Sequence, residues 1–384
     1  MASISKYYKK DKNGNKKQYG WRGQIIAPDG KRIPVYGKTK PIVEEKIKQL
    51  NRDIDQLGTI LSKNSYTVSE WTYKHLFTTK IHMLSPSTFE LYTGIYNNYI
   101  KNSKLGAMQI SAVKQLHIQE FLNSYPHLSH TSLRKFYLIL LSSFNAALSN
   151  NLIRMNPVKG VIIPNKNKPT TPIEILSKEE QRRYILATES EKYRLLFLTA
   201  LFTGMRQGEL IALKWENVNL ELGIIKIKES VKRSRVYLPD GTYSNQIVTK
   251  FPKSKSGSRD LPLPAFLLDE FHKYMSHIQS SDLNRQYVFQ TSTGKCLQAR
   301  NLSTYHKRIC KNANISPIRF HALRHTFATR LLEAGENIKT VQTLLGHADV
   351  ETTLNVYAHV LEDSLKVSAQ RQESIFNEIM YNSF

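Results

Sequence analysis

Cysteine is nearly absent from this chain of 384 residues: Cys296 and Cys310 are the two it has. They exclude a disulfide framework and a Cys-rich zinc module, and both are expected to be ordinary reduced side chains of a cytosolic protein. Long apolar runs are missing too. The longest, Leu195 to Phe202, is interrupted by Thr199 and is far too short to cross a bilayer. Met1 to Lys17 is basic with no apolar stretch behind it, so it does not read as a signal peptide. Acidic residues are in deficit, 31 Asp and Glu against 55 Lys and Arg, for a net charge of +24. That excess calls for a polyanionic partner. Apolar residues make up 40% of the chain, with 15 Phe, 20 Tyr and 3 Trp, enough to exclude wholesale disorder. The length suggests two or three domains.

The charge is unevenly spread. Residues 1–60 hold 14 Lys and Arg against 6 Asp and Glu. Tyr19–Ile26 and Arg32–Tyr36 read as short strands, with Asp29-Gly30 as the turn between them. Residues 41–57 read as a helix with Pro41 at its start, Ile42, Ile47, Leu50, Ile54 and Leu57 on its apolar face, and Gly58 closing it. Residues 61–66 form a polar joint. The next segment is helical in pattern: Glu70–Lys80, Ser87–Lys101, Ile118–Ser124 and Ser129–Asn150. The last carries Leu133, Phe136, Tyr137, Leu140, Leu141, Phe144 and Leu148 at helical spacing. Pro164 to Pro172 holds three prolines and two lysines and reads as a linker. Beyond it, 173–384 reads as helical with one β insertion, in strands Ile224–Val231, Gln246–Phe251 and Asp260–Leu263, and a turn at Asp240-Gly241.

Four clusters in that last region bear on chemistry. Gly204 and Gly208 bracket Arg206 at a turn into a new helix. In Arg319–Arg330, Phe320, Leu323, Phe327 and Leu331 make a buried stripe, and His321 and Arg324 share one face beside it. His347 follows Leu344-Leu345-Gly346, and Tyr357 lies ten residues later. Zinc fails for His321 and His325: no Glu follows the first histidine, and Arg324 would set a positive charge beside the ion. No acidic cluster or Walker loop accompanies them, so neither Mg²⁺ nor ATP is implied. Two arginines and two histidines can instead converge on one phosphodiester. Arginine forks offset charge building on a five-coordinate phosphorus. A tyrosine hydroxyl needs a base and this positive field to become a nucleophile, and His321 is a candidate base. The leaving oxygen needs a proton, which Lys253 or Lys255 could give from Phe251–Arg259.

With these residues in order, the chain resembles the tyrosine recombinase (phage integrase) family, in particular integrases of Gram-positive phages and conjugative transposons. The family's signature Arg…Lys…His-x-x-Arg…His…Tyr is matched by Arg206, a hairpin lysine, His321-Ala-Leu-Arg324, His347 and Tyr357. The family pattern picks Lys253, with Ser254 in place of Thr; Lys255 is the alternative. Glu209 fills the family's acidic position, with an orienting role. The resemblance implies a mostly α, multidomain fold with small β elements: an arm-type DNA-binding domain at 1–60 (three strands plus a helix), a helical SAM-like core-binding domain at 66–163, and a catalytic domain with a C-terminal tail at 173–384. It implies a site-specific recombinase that cleaves and rejoins duplex DNA through a 3′-phosphotyrosyl link, integrating and excising a mobile element or prophage, with no cofactor. It further implies core-type and arm-type attachment sites, a homotetramer on DNA, excisionase and DNA-bending proteins as accessory partners, and a place in the bacterial cytoplasm. The arm contacts are expected from Lys9, Lys10, Lys16, Lys17, Arg22, Lys31 and Arg32. The tail, with Leu361, Leu365, Ile375, Phe376 and Ile379, is expected to dock on a neighbour. The nearest rivals are a type IB topoisomerase, which reseals the same strand, and a DNA-binding regulator without activity.

Overall fold

The computed structural model describes residues 4–10, 16–26, 32–57, 66–165, 173–251, 257–277, 286–347, 372–373 and 375–380. The chain divides into two units, Met1–Pro169 with Arg235–Ser244, and Thr170–Ser234 with Asn245–Phe384.

The first unit opens with an antiparallel sheet in the order β1 (Ser5–Lys10), β2 (Lys16–Ile26), β3 (Arg32–Gly37). Helix α1 (Lys40–Leu57) covers one face, and Ile25, Val35, Val43 and Ile47 close a small core of their own. The residue pattern predicts two of these strands. β1 escapes it because Ser-Lys-Tyr-Tyr-Lys-Lys has no apolar alternation, and pairing with β2 holds it in place. Lys9, Lys17, Arg22 and Arg32 are exposed. Lys9 lies over the Tyr19 ring at 4.5 Å, and Arg22 over Tyr36 at 5.8 Å. Lys10 and Lys16 are the end residues of β1 and β2; Lys31 and the Asp29-Gly30 turn lie outside the described residues.

A helical bundle follows: α2 (Val68–His75), α3 (Pro86–Ile95), α4 (Gln115–Asn123) and α5 (His130–Ser149). α2 and α3 each run on into a π turn, Leu76–Lys80 and Tyr96–Ile100. At the start of α2, Thr67 and Glu70 cap one another, satisfying two amide groups that a helix end leaves open. On α5, Leu133, Phe136, Leu140 and Phe144 are buried as the spacing predicts, joined by Ile139. Trp71 Nε1 donates to Ser143 O at 2.8 Å, tying α2 to α5. Within this unit Tyr237 packs edge-on against Phe89 at 5.5 Å. Most of the expected joint at 61–66, and residues 166–172 of the expected linker, lie outside the described residues.

In the second unit, α7 (Arg194–Thr203) is buried on nearly every side, as its apolar run requires. Around it stand α6 (Lys178–Ala187), α8 (Gln207–Ala212), α9 (Ala265–His277), α10 (Ala299–Asn312), α11 (Ala322–Glu333) and α12 (Ile338–Leu345). A three-stranded antiparallel sheet runs β4 (Val218–Asn219), β5 (Ile224–Ile227), β8 (Arg259–Pro262). A separate ribbon pairs β6 (Ser230–Tyr237) with β7 (Tyr243–Lys250), and its tip, Arg235–Ser244, is the stretch that belongs to the first unit. The expected strand Ile224–Val231 is therefore two strands. It breaks at Lys228-Glu229, where Glu229 pairs with Lys214 at 2.7 Å. The basic stretch 228–245 is not a plain connection but most of a hairpin, turning at Gly241 (φ 88°). β7 overlaps the expected strand Gln246–Phe251, and the turn falls at the expected Asp240-Gly241; β6 beyond Val231 escapes the residue pattern because Lys232, Arg233 and Arg235 are exposed and leave no apolar alternation.

Candidate active site

The second unit brings Arg206, Glu209, His321, Arg324 and His347 together, and two glycines set the geometry. α7 ends at Gly204, whose φ of 63° is the left-handed cap that suits glycine. A Cβ there would also lie 2.5 Å from the Phe327 ring. The cap aims Gly204 O at Arg324 Nη1, 2.7 Å away. α12 ends in the same way at Gly346, φ 64°, and the two carbonyls before it and its own turn toward the arginines.

Arg206 is the N-cap of α8. Its amide donates to Glu209 Oε2 at 2.9 Å, its Nη1 to Glu209 Oε1 at 2.8 Å and its Nη2 to Gly346 O at 2.9 Å. Arg324 gives Nη2 to Leu345 O at 2.6 Å. Burial differs sharply between the two: 38% of the Arg206 side chain is exposed but only 3% of Arg324. A buried cation is tolerable when its donors are matched, and here carbonyl oxygens match them. This corrects the expected stripe on α11. Phe320 and Leu323 are buried, but Phe327 and Leu331 are only half-buried. Arg324, Thr326, Ala328 and Thr329 are buried instead.

His321 is the N-cap of α11 and His347 follows α12. The His321 ring stands 4.7 Å from the His325 ring, edge to face. By surface area His321 is exposed. Even so, crowding of its ring by protein, then His325, Arg324 and Arg206, lower its pKa to about 4. For His347, burial comes first, then Arg324, Arg206, His321 and Arg259, with a pKa again of about 4. Both rings are therefore neutral at pH 7, and a neutral imidazole can accept a proton. For Glu209, burial alone would raise the carboxyl. The hydrogen bonds and charge of Arg259, then those of Arg206, outweigh it and hold the group below its ordinary value.

Arg259 escaped the sequence reading, which used it only as a landmark for the hairpin lysine. Its signal was there: β8 alternates, with Arg259 and Leu261 buried and Asp260 and Pro262 exposed. A charge on the apolar face of a strand needs a partner. Lys253, Lys255 and Tyr357 lie outside the described residues.

Residues 174–363 match the phage integrase family, and residues 67–125 match the phage integrase N-terminal SAM-like domain. The tyrosine recombinase XerC-like protein of Caldanaerobacter subterraneus is 32% identical, over 94% of this chain and 96% of its own length. The chain belongs to the phage integrase family of tyrosine recombinases. It is an enzyme of DNA strand breakage and rejoining, a site-specific recombinase. The recombinase shares its fold with the Tn1549 transposon integrase, solved in complex with a circular intermediate DNA (TM-score 0.62, 22% identity, 80% of this chain and 99% of that one). It also shares it with a lambda integrase tetramer bound to a Holliday junction (TM-score 0.54, 20% identity, 89% and 92%). No helix among the described residues is long and apolar enough to cross a membrane.

Proposed function

We propose that Arg206 and Arg324 take the scissile DNA phosphate and that Tyr357 attacks it. The tyrosine Oη forms a bond to phosphorus as the P–O5′ bond breaks. The phenol proton goes to His321, and Lys253, or Lys255 beside it, protonates the departing 5′ oxygen. His347 helps hold the phosphate. A 5′-hydroxyl from a partner duplex then reverses the step, and because the phosphotyrosyl link keeps the bond energy, no cofactor enters. The observation that carries this reading is the meeting of Arg206, Arg324, His321 and His347 at the end of α12, ten residues before Tyr357. Glu209 orients Arg206 and does not react.

The division we propose is an arm-type DNA-binding domain at 1–60, a core-binding domain at 66–163 and a catalytic domain at 173–384. The separate core of the N-terminal sheet and the SAM-like match over 67–125 support it. Exposed Lys9, Lys17, Arg22 and Arg32 support arm-site contact, to which Lys10, Lys16 and Lys31 would add. The partner is double-stranded DNA. A homotetramer on DNA is supported by the fold shared with the lambda integrase tetramer. Directionality falls to excisionase and DNA-bending proteins, and the place of action is the bacterial cytoplasm. The mobile element is read as a conjugative transposon or prophage, in keeping with the Tn1549 likeness.

The test is Tyr357→Phe on a suicide core-site duplex. The variant keeps its DNA affinity and gives no covalent adduct on a denaturing gel, because only the hydroxyl is removed. An adduct from the Phe variant overturns the nucleophile assignment.

A further inference from the structure

Arg259 is 7% exposed, and all three of its guanidinium nitrogens are engaged by the protein, through which it reaches both halves of the site. Its fork grips one carboxylate: Nη1 donates to Glu209 Oε1 at 3.2 Å and Nη2 to Oε2 at 2.8 Å. The same carboxylate holds Arg206 through Nη1 and the amide. The third nitrogen of Arg259, Nε, donates to Leu344 O at 2.6 Å. Three successive carbonyls at the end of α12 are thus each taken by an arginine from a different element. Leu344 O goes to Arg259 of β8, Leu345 O to Arg324 of α11, and Gly346 O to Arg206 at the head of α8. Carbonyls of a last helical turn have no partner within the helix and carry its negative end, so they are natural seats for guanidinium groups.

We propose that Arg259 is a positioning residue for strand cleavage. Through Glu209 it fixes Arg206, and through Leu344 O it fixes the turn that bears His347. One buried guanidinium thereby sets the phosphate-binding arginine against the histidine turn. The proposal rests on the site reading above. A lysine could not replace it, because a single nitrogen cannot span both carboxylate oxygens and also reach the carbonyl. The His347 ring is faced by Arg324 and His321 from α11, by Arg206 from the head of α8 and by Arg259 from β8.

The experiment uses the full chain with Arg259→Lys and Arg259→Gln, each alone and the latter combined with Glu209→Gln. Single-turnover adduct formation on a suicide core duplex is read at saturating protein from pH 3.5 to 9, a range that brackets the His321 and His347 values of about 4, alongside the core-duplex Kd. Both single variants should cleave about tenfold slower or worse, the scale of a misplaced catalytic group, with Kd within about twofold. Loss of the charge in the Gln variant should let His347 protonate more readily and move the acid limb to higher pH; Lys keeps the charge and should leave that limb in place. The double variant should be no slower than Arg259→Gln within about threefold, since both changes break one linkage. Cleavage within about twofold of the parent, an unmoved acid limb in the Gln variant or additive losses overturns the proposal. If Arg259→Gln does not fold, Arg259→Lys decides through its rate and Kd. If neither variant binds core DNA as the parent does, Arg259 is a fold-holding residue and the proposal is overturned. Tyr357→Phe and Arg206→Ala are run beside them. Adduct from Tyr357→Phe, or parent-like cleavage by Arg206→Ala, sinks the site reading itself, whereas inactive controls beside parent-like Arg259 variants sink only the positioning role.

Discussion

At the scale of single residues, two arginines of one site carry different structural burdens. Arg206 keeps over a third of its side chain exposed, while Arg324 is buried between Gly204 O and Leu345 O. Removing either should slow cleavage by at least about 100-fold, near 3 kcal/mol for a lost charge-stabilising donor. Only Arg324→Ala also strips two buried carbonyls of charged donors, at about 1.5–3 kcal/mol for each bond. Its melting temperature should fall well below the parent's, and that of Arg206→Ala should stay close. Equal melting shifts in a thermal scan would contradict this division. A second buried group sets a pH dependence. His306 is 1% exposed; its Nδ1 lies 2.8 Å from Tyr184 Oη and its Nε2 3.1 Å from Ile318 O. Burial, against the opposing Ile318 bond, lowers its pKa to about 4. The unfolded chain, with an ordinary histidine value near 6.5, binds the proton first. Stability is therefore full above about pH 6.5 and falls as pH drops toward 4, by up to about 1.4 kcal/mol per pH unit. The urea midpoint should drop between pH 7 and pH 5, and by less in His306→Gln. An unchanged drop in that variant would free His306 of this role.

At the scale of elements, the site hangs on helix ends rather than on helix faces. Gly204 and Gly346 close α7 and α12 in left-handed caps and turn carbonyls toward the arginines. Gly204→Ala would add the cost of a left-handed alanine, about 1–2 kcal/mol, and press a methyl into the Phe327 ring. We expect a lower melting temperature and slower adduct formation, with core-duplex affinity kept; parent-like cleavage would show that the cap does not place Arg324. Much of this was legible in the residue pattern. α1 and α5 stand where their apolar spacing put them; Gly204 and Arg206 were singled out from their order, and Glu209 from the family resemblance. What the pattern hid is what depends on partners distant in sequence. β1 has no apolar alternation and exists by pairing with β2. Beyond Val231, β6 carries exposed Lys232, Arg233 and Arg235 and so reads as a basic loop, whereas part of β7 was legible as the strand Gln246–Phe251. That Arg324 is buried could not be read beside the stripe, because the carbonyls of Gly204 and Leu345, which make its burial tolerable, lie 120 and 21 residues away. Arg259 was hidden for the same reason, its partners Glu209 and Leu344 lying 50 and 85 residues off.

At the scale of the whole molecule, the proposed arm and core contacts would hold DNA at more than one point. Residues 1–60 supply 14 of the cations against 6 acids, a surplus of eight out of the total of 24, in less than a sixth of the chain. They also form a sheet and helix around a core of their own. A bare basic tail would need no such core, since phosphate attraction is indifferent to fold. Ordered cations stacked on rings, Lys9 over Tyr19 and Arg22 over Tyr36, suit a fixed groove surface. Deleting 1–60 should therefore leave adduct formation on a short core duplex unchanged, because no member of the site lies there. Recombination between full attachment sites should fall sharply, since the second point of attachment is gone. Binding of the intact chain to an arm-type duplex should weaken steeply with salt, and replacing one phosphate-binding lysine or arginine by alanine should flatten the log–log slope by about one unit. The measurement is paired: core adduct yield and full-site recombination, each with and without residues 1–60. Undiminished recombination by the shortened chain would reduce the N-terminal sheet to a solvated basic module. Loss of core cleavage would instead make that sheet part of the catalytic assembly.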